Sequence, residues 1–361
     1  MKPIPHSWRK LPIGVRLRVP QEYFEIPEED IKRIRLISDS RKRLTESARL
    51  QYEIFKDIHT DLTAWIAGYA SDVTIRQKFG STQKIRDIFI QPILKSKDFT
   101  PSWGDRRRNV TLPEEMTPEL AEECGIHIGD GNLYIGYEKA WVSHSYTISG
   151  DLKNESLFHK DHIVKLMKNI YNCKGHFRLR VSKNSIDSVY KSKLILEFKR
   201  DFLNFPVGGK TNIKIPEKVL GDKIFEQRCL CGIFDTDFNI NSQMQINGRM
   251  ASLFLLRQVC QILSKHHIRH HYREVYRYED WYGDLKLNKD SSLNILEGWG
   301  LNNQKQISKY LIWKETGKFF PFTATYERIA FLEGRLTLDA LEDISNKRRK
   351  EKTSAKINAT R

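Results

Sequence analysis

Asp130 and Asp237 are the residues of this chain whose setting could do chemistry. Each closes a short apolar stretch: Glu119 to Gly131 reads ELAEECGIHIGDG, and Leu230 to Asp237 reads LCGIFDTD. Small residues fall four apart in both, Gly125 and Gly129 in the first, Gly232 and Thr236 in the second. Residues at that spacing share one helix face. Small side chains there let two helices approach until their backbones nearly touch, so the two copies are expected to pack together. Asp130 and Asp237 would then stand side by side at one end of the pair. A helix C-terminus carries partial negative charge, so two carboxylates there repel unless a cation joins them. A hard divalent ion, Mg²⁺ or Mn²⁺, suits such an oxygen site.

One apolar helix running into Gly-Asp-Gly is ordinarily a glycine-capped helix followed by a turn. Two copies, each followed by strand-like sequence, mark an internal duplication instead. These stretches resemble the paired motifs of single-chain LAGLIDADG homing endonucleases, with CGIHIGDG as the first and LCGIFDTD as the second. The segment NFPVGGKTNIKIPEKV, Asn204 to Val219, is similar to the connecting segment of archaeal members. The resemblance runs from Thr117 to Gly317. Two departures stand out: Ile128 occupies a position that is often acidic, and Phe238 replaces the glycine that closes the second motif.

The resemblance implies an α+β fold of two pseudo-symmetric αββαββα halves, each sheet with an apolar face on helices and a basic face toward DNA. It implies that Asp130 and Asp237 hold the metal, assisted by the carbonyls of Gly129 and Thr236. Lys210, in the connecting segment, is the candidate basic residue polarising water or phosphate. Asp235, opposite Ile128, is expected to be peripheral. Phosphodiester cleavage needs a nucleophilic water, charge neutralisation at the phosphate and help for the leaving oxygen, and metal held between two acids supplies all three. The implied activity is that of a monomeric, Mg²⁺-dependent (or Mn²⁺-dependent), site-specific double-strand DNA endonuclease linked to intron or intein mobility. Two other readings stay open: a non-catalytic DNA-binding regulator on the same fold, and an RNA-splicing maturase, for which RNA would be the partner.

The elements that must position these acids can be read in order. The chain has 361 residues and a formal net charge of +16, which allows several domains and favours polyanionic partners. No apolar run approaches a membrane span, and the first ten residues lack the apolar core of a signal peptide. A cytoplasmic, nucleoid-associated protein is expected. Five cysteines without framework spacing suggest reduced thiols, with Cys229 and Cys231 packing on the second motif helix. Val207 to Thr211 lacks the first glycine of a phosphate loop, so ATP binding is rejected.

Residues 1–110 are expected to form a mainly helical domain, with helices over 28–38 and 41–58. The stretch 62–80 reads either as a helix-turn-helix or as part of a helical bundle. Residues 99–113 read as a linker. The first half is placed at 115–220, the second at 221–317, and a C-terminal helix with a basic, unstructured tail at 318–361. Strands are expected at 132–137, 141–149, 176–183 and 190–199 in the first half, and at 238–247, 269–278 and 291–299 in the second. Alternation in these strands puts Ser143, Ser145, Thr147, Arg178, Arg180, Lys191 and Lys193 on the DNA side of the first sheet. On the second it puts Arg273 and Arg277 there, with an unbroken carboxamide row, Asn239, Asn241, Gln243, Gln245 and Asn247. Carboxamides match the donor and acceptor groups of adenine in the major groove. The histidines at 266, 267, 270 and 271 are read as contacting phosphate or solvent, since no nearby acid or cysteine completes a zinc set.

Overall fold

A computed structural model describes residues 16–20, 99, 101–138, 141–210, 213–277 and 280–359. The helices expected at 28–38, 41–58 and 62–80 lie outside the described residues.

A strand β1 (Arg16–Pro20) and a short helix α1 (Trp103–Arg107) precede two repeats of one plan. The first repeat is α2 (Pro118–Asp130), β2 (Gly131–Glu138), β3 (Trp141–Asp151), α3 (Leu152–Leu157), α4 (Val164–Tyr171), β4 (His176–Arg180), β5 (Ser185–Tyr190) and α5 (Lys193–Glu197). A π-helical segment, Phe158–Ile163, joins α3 to α4. The second repeat is α6 (Lys223–Asp237), β6 (Phe238–Ile240), β7 (Ile246–Met250), α7 (Leu253–Lys265), β8 (His270–Arg277), β9 (Asp280–Leu287) and α8 (Lys289–Asn294). Three more helices follow: α9 (Gln304–Thr316), α10 (Thr325–Leu332) and α11 (Leu338–Ala359).

Both sheets are antiparallel. The second runs β6-β7-β9-β8, and the first repeats that order as β2-β3-β5-β4, with β1 added outside β4. The shared order is the duplication expressed in strand pairing.

The motif helices form the axis between the sheets. α2 starts at Thr117, whose hydroxyl accepts the Leu120 N–H at 3.2 Å, with Pro118 pre-set for the first turn. α6 starts at Asp222, which accepts the N–H groups of Ile224 and Phe225. The two helices touch backbone to backbone. A Cβ on Gly125 would overlap the Cys229 carbonyl and come within 3.0 Å of the Gly232 Cα. One on Gly232 would overlap the Glu122 carbonyl and reach 2.7 Å from the Ile126 nitrogen. Gly129 leaves the space that the Thr236 side chain occupies. Cys124, Cys229 and Cys231 are free thiols buried in this contact region, as expected.

Buried polar groups tie the repeats together across the axis. Glu122 of α2 pairs with Arg228 of α6 and with His162 at 2.5 Å, and accepts the Asn302 side-chain amide at 2.7 Å. Burial works to raise its pKa, yet His162 and Arg228 outweigh it and hold the carboxyl below its ordinary value. The connecting segment spans the halves as well: Ile215 donates its N–H to the Gln258 side chain at 3.0 Å, and the Ser252 hydroxyl donates to the Ile213 carbonyl.

Several expected elements differ. Residues 193–202 are helical, α5 followed by a π-helical segment, and the closing strand is β5 at 185–190. The second half repeats the shift: 289–299 is helical and β9 at 280–287 closes the sheet. In the first case Leu194, Ile195, Leu196 and Phe198 are all buried, so the run is enclosed on several sides rather than alternating. Ser192 and Asn288 cap the two helices through side-chain acceptors. The stretch 238–247 is a hairpin, not one strand. Asn241 turns it, its side-chain oxygen accepting the N–H groups of Gln243 at 2.9 Å and Gln245 at 3.0 Å. The stretch read as a linker is packed: Asp105 is buried and accepts the Leu194 N–H at 3.2 Å, and Thr111 donates to the Tyr171 carbonyl. Residues 346–359, expected to be unstructured, are helical in α11.

Because the Gly232 contact is with backbone, neither partner can swing away. Gly232→Ala should cost about 1–3 kcal/mol or more by overpacking, read as a lower urea midpoint. Gly209→Ala, where an added Cβ meets nothing within 4 Å, should be near neutral. Equal midpoints for the two variants would refute the backbone contact.

Candidate functional site

The paired helices deliver their C-terminal ends to one place. Asp130 ends α2 and Asp237 ends α6, and the Asp237 carboxyl carbon lies 3.4 Å from where a Gly129 Cβ would be. Both helices exit into extended backbone, Gly131 with φ −77° and Phe238 with φ −107°. The halves therefore end alike, against the expectation that Phe238 would make the second end differently. Gly131 is required by crowding instead: an added Cβ would lie 2.5 Å from the His127 Cα. Phe238 turns inward as expected, buried and edge-on to Phe234 at 4.9 Å.

The acids open to solvent at the helix ends, Asp237 exposed and Asp130 partly so. Enough protein surrounds them to alter their ionisation all the same. Burial, then Glu155 and Asp237, push Asp130 well above the ordinary carboxylate range, against Lys210 and Lys305. Asp237 is raised by burial and Glu155, with Lys210 and Lys305 opposing.

Lys210 arrives from the connecting segment. Val207 bridges to Leu133 beside β2, and Gly208, at φ +88°, donates its N–H to the Leu133 carbonyl at 2.9 Å. That left-handed turn suits glycine and brings the lysine back over α2. Its ammonium donates to the carbonyls of Ile128, at 3.0 Å, and Gly129. Burial pulls the Lys210 pKa down while Asp237 and Asp130 pull it up.

This donor set fits a hard cation. The ammonium itself sits where backbone carbonyls and two carboxylates converge, and every acceptor is oxygen. Among the described residues, no three His, Cys, Asp or Glu side chains group into a metal cluster. A divalent ion here would draw on Asp130, Asp237 and main-chain carbonyls such as that of Gly129.

Three charged residues at the site had not been expected. Glu155 of α3 is buried and accepts from Lys305 at 2.9 Å and from the Asn303 amide. Lys305 and Lys309 lie four apart on α9, a spacing that puts both on one helix face and was readable in the sequence. Asp235, expected to be peripheral, is fully buried; it accepts the N–H groups of Asn302 at 2.8 Å and Asn303 at 2.9 Å and so anchors the start of α9. Burial raises its pKa to about 7.

The open sheet faces hold the other candidates. In the first, Ser143, Ser145 and Thr147 share a face of β3 with Ser149, whose hydroxyl donates to Asp187 at 2.8 Å. Arg178 and Arg180 both bind Asp187 at 2.8 Å. Lys191 and Lys193 are not on a strand: Lys193 lies in α5 and pairs with Glu197 at 3.5 Å, and the Lys191 carbonyl accepts from Arg108. In the second sheet, Asn247, Arg249, His271, Arg273, Asp284 and Lys286 line an open depression of about 580 Å³. Asp284 holds Arg249 at 2.7 Å and Arg273 at 3.0 Å. Arg277 ends β8. The carboxamide row is broken: Asn239 and Asn247 oppose each other across β6 and β7, while Asn241, Gln243 and Gln245 belong to the turn. Of the histidines, His266 faces Glu226 at 3.0 Å and His270 its neighbouring Ile268 carbonyl.

No family model and no curated protein matches the chain. Solved structures with a similar arrangement include I-DmoI, described as a homing endonuclease, in complex with DNA and Mn: 17% identical, over 51% of this chain and 96% of that one, TM-score 0.41. Others are the LAGLIDADG meganuclease I-AabMI bound to uncleaved DNA, 8% identical, and the LAGLIDADG homing endonuclease I-GzeII with its DNA target, 10% identical. Each of those two spans 64% of this chain and 97% of its own, with a TM-score of 0.37.

A carboxyl whose folded pKa is raised binds its proton more tightly when folded, so stability is lost as pH rises above the unfolded value. Asp130→Asn should therefore raise the melting temperature at pH 7 in EDTA. The gain should vanish below about pH 4, where the native acid is protonated in both states. A melting temperature unchanged at pH 7 would show that Asp130 ionises without cost.

Proposed function

We propose that this chain is a divalent-metal-dependent, site-specific endonuclease that cuts both strands of duplex DNA. The observation that supports this most is the pairing of Asp130 and Asp237 at the touching ends of α2 and α6, beside the Lys210 ammonium. A pure DNA binder has no use for two acids held against their own repulsion at the point where the sheets meet.

The residues divide the work. Asp130 and Asp237, with the carbonyls of Gly129 and Thr236, form the cation-binding set. Bound Mg²⁺ or Mn²⁺ would supply a Lewis acid and a water of lowered pKa. Lys210 lies close enough to both acids to hold charge against a phosphate oxygen, and its burial keeps its ammonium from being fully solvated. Lys305 adds a second positive charge near both acids, itself held by Glu155. The open sheet faces present arginines to the backbone: Arg178 and Arg180 on one side, Arg249 and Arg273 on the other. Phosphate contacts of this kind position a duplex, while base-edge contacts read it. Thr147 and Ser145 on the first sheet, and Asn239 and Asn247 on the second, are the reading candidates.

Cleavage of a randomised plasmid library with Mg²⁺ tests the reading. The native chain should give discrete double-strand breaks that EDTA abolishes. Asp130→Asn and Asp237→Asn should each lose double-strand cleavage while binding persists, because asparagine keeps the shape and loses the charge. Binding without cleavage by the native chain would favour the regulator, and preference for structured RNA the maturase.

Asp284→Asn offers a second check. It releases Arg249 and Arg273 from their shared carboxylate, so affinity for mixed-sequence duplex should rise several-fold and fall more steeply with salt. An unchanged salt slope would show that this face does not meet phosphate.

A further inference from the structure

Beyond the second repeat, α9, α10 and the loop between them close a cavity of about 310 Å³ against β6. It is lined by Asn239, Lys305, Lys309 and Arg328, with Phe320 and Phe322 among its apolar walls. We propose that this cavity is a phosphate site, in which Lys309 and Asn239 hold one backbone phosphate of a duplex lying on the second sheet. The proposal rests on the DNA-binding part of the function given above.

Lys309 is the centre of the argument. Its ammonium donates to the Asn239 side-chain oxygen, and among the described residues it makes no ion pair with a carboxylate. Its charged neighbours are Arg328 and Lys305, with Glu155 the acid in range, and Glu155 is already paired to Lys305. Burial, then Arg328 and Lys305, lower its pKa to about 7. A lysine confined beside two cations has an electrostatic deficit that an anion would remove.

Arg328 is a fixed part of the wall. Its guanidinium donates to the Ser308 hydroxyl at 2.8 Å, the Thr323 carbonyl at 2.5 Å, the Thr325 hydroxyl at 3.0 Å and the Lys305 carbonyl at 3.2 Å. Its charge contributes to the field, and its donors hold the cavity's shape. An ammonium has three donors, so Lys309 keeps capacity beyond its bond to Asn239, and the Asn239 amide is a second donor.

The position is suited to a duplex. β6 is an edge strand, and Asn239 is exposed on the face opposite buried Phe238 and Ile240. Its cross-strand partner Asn247 lines the depression on the sheet's open face. The cavity therefore begins where that face ends, two residues from Asp237. Its volume accepts a phosphate with part of the flanking sugar against the phenylalanines.

The test is the salt dependence of full-chain binding to mixed-sequence duplex DNA in EDTA, for native, Lys309→Met and Lys309→Arg forms of equal melting temperature. Losing one phosphate contact should lower the slope of log affinity against log salt by about 0.9. Lys309→Met should show that loss with several-fold weaker binding, and Lys309→Arg should restore the slope. Native slope in Lys309→Met would overturn the proposal while leaving the DNA-binding reading intact. Failure of the native chain to bind duplex would overturn both. An unchanged slope with thermal stabilisation by inorganic phosphate, present in the native chain and absent in Lys309→Met, would assign the cavity to a free anion and also overturn it.

Discussion

The contact between Gly125 on α2 and Gly232 on α6 sets the positions of everything else. Where backbone meets backbone there is no side chain to repack, so the crossing point is fixed to within tenths of an ångström. Each helix then runs one further turn, past Gly129 and Thr236, and releases its acid at the same level. Each also passes directly into the edge strand of its own sheet, β2 or β6. One helix contact therefore determines both the spacing of the two carboxylates and the placement of the two open faces. A methyl group at that crossing would push the acids apart and tilt both sheets.

The acids gathered by this contact must be held against repulsion, and the balancing charges come from segments outside the repeats. Lys210 is supplied by the connecting segment, and Lys305 by α9 after the second repeat ends. Behind α2 a second compensation operates. Glu123 and Lys199 form a fully buried pair at 2.6 Å, with Tyr171 donating to Glu123 and the ammonium over the rings of Tyr146 and Phe205. Such pairs offset desolvation only when well surrounded, and this one is. His127, packed at 4.1 Å from Phe205, is kept neutral by burial and the nearby lysines. Charge is thus removed from the body of the helix pair and concentrated at its open end.

How much of this was legible follows from what each signal depends on. The motif helices were readable because small residues four apart report directly on a helix face, and the duplication repeated the signal. Phe238 was correctly turned inward because its neighbours Ile240 and Ile246 share its apolar character. The closing strands were misplaced by the same shift in both halves. Enclosed helices and strands are both apolar, and in Lys193–Phe202 the period cannot separate them, whereas Ser192 as a cap could have. The carboxamide row failed for a local reason: asparagine competes with the ladder by binding its own backbone, and Asn241 does so twice. Asp235 was misjudged because its partners, the N–H groups of Asn302 and Asn303, are far away in sequence. Residues whose role is set by distant backbone leave no periodic trace.

The two sheets share one more device, which no single strand could reveal. Asp187 on β5 and Asp284 on β9 occupy corresponding inner strands, and each holds two arginines on the open face. In the first sheet both arginines come from β4, and Ser149 of β3 supplies the bond that Arg249 of β7 supplies in the second. Arginine loses considerable side-chain freedom when ordered, and a carboxylate that orders it beforehand reduces what binding must cost. The same carboxylate lowers the net charge of the face, which weakens indiscriminate attraction to polyanions. An aspartate at the centre of each basic face therefore trades total affinity for defined geometry. That exchange suits a chain that must find one duplex site among many, and it was made twice, once in each copy of the duplicated plan.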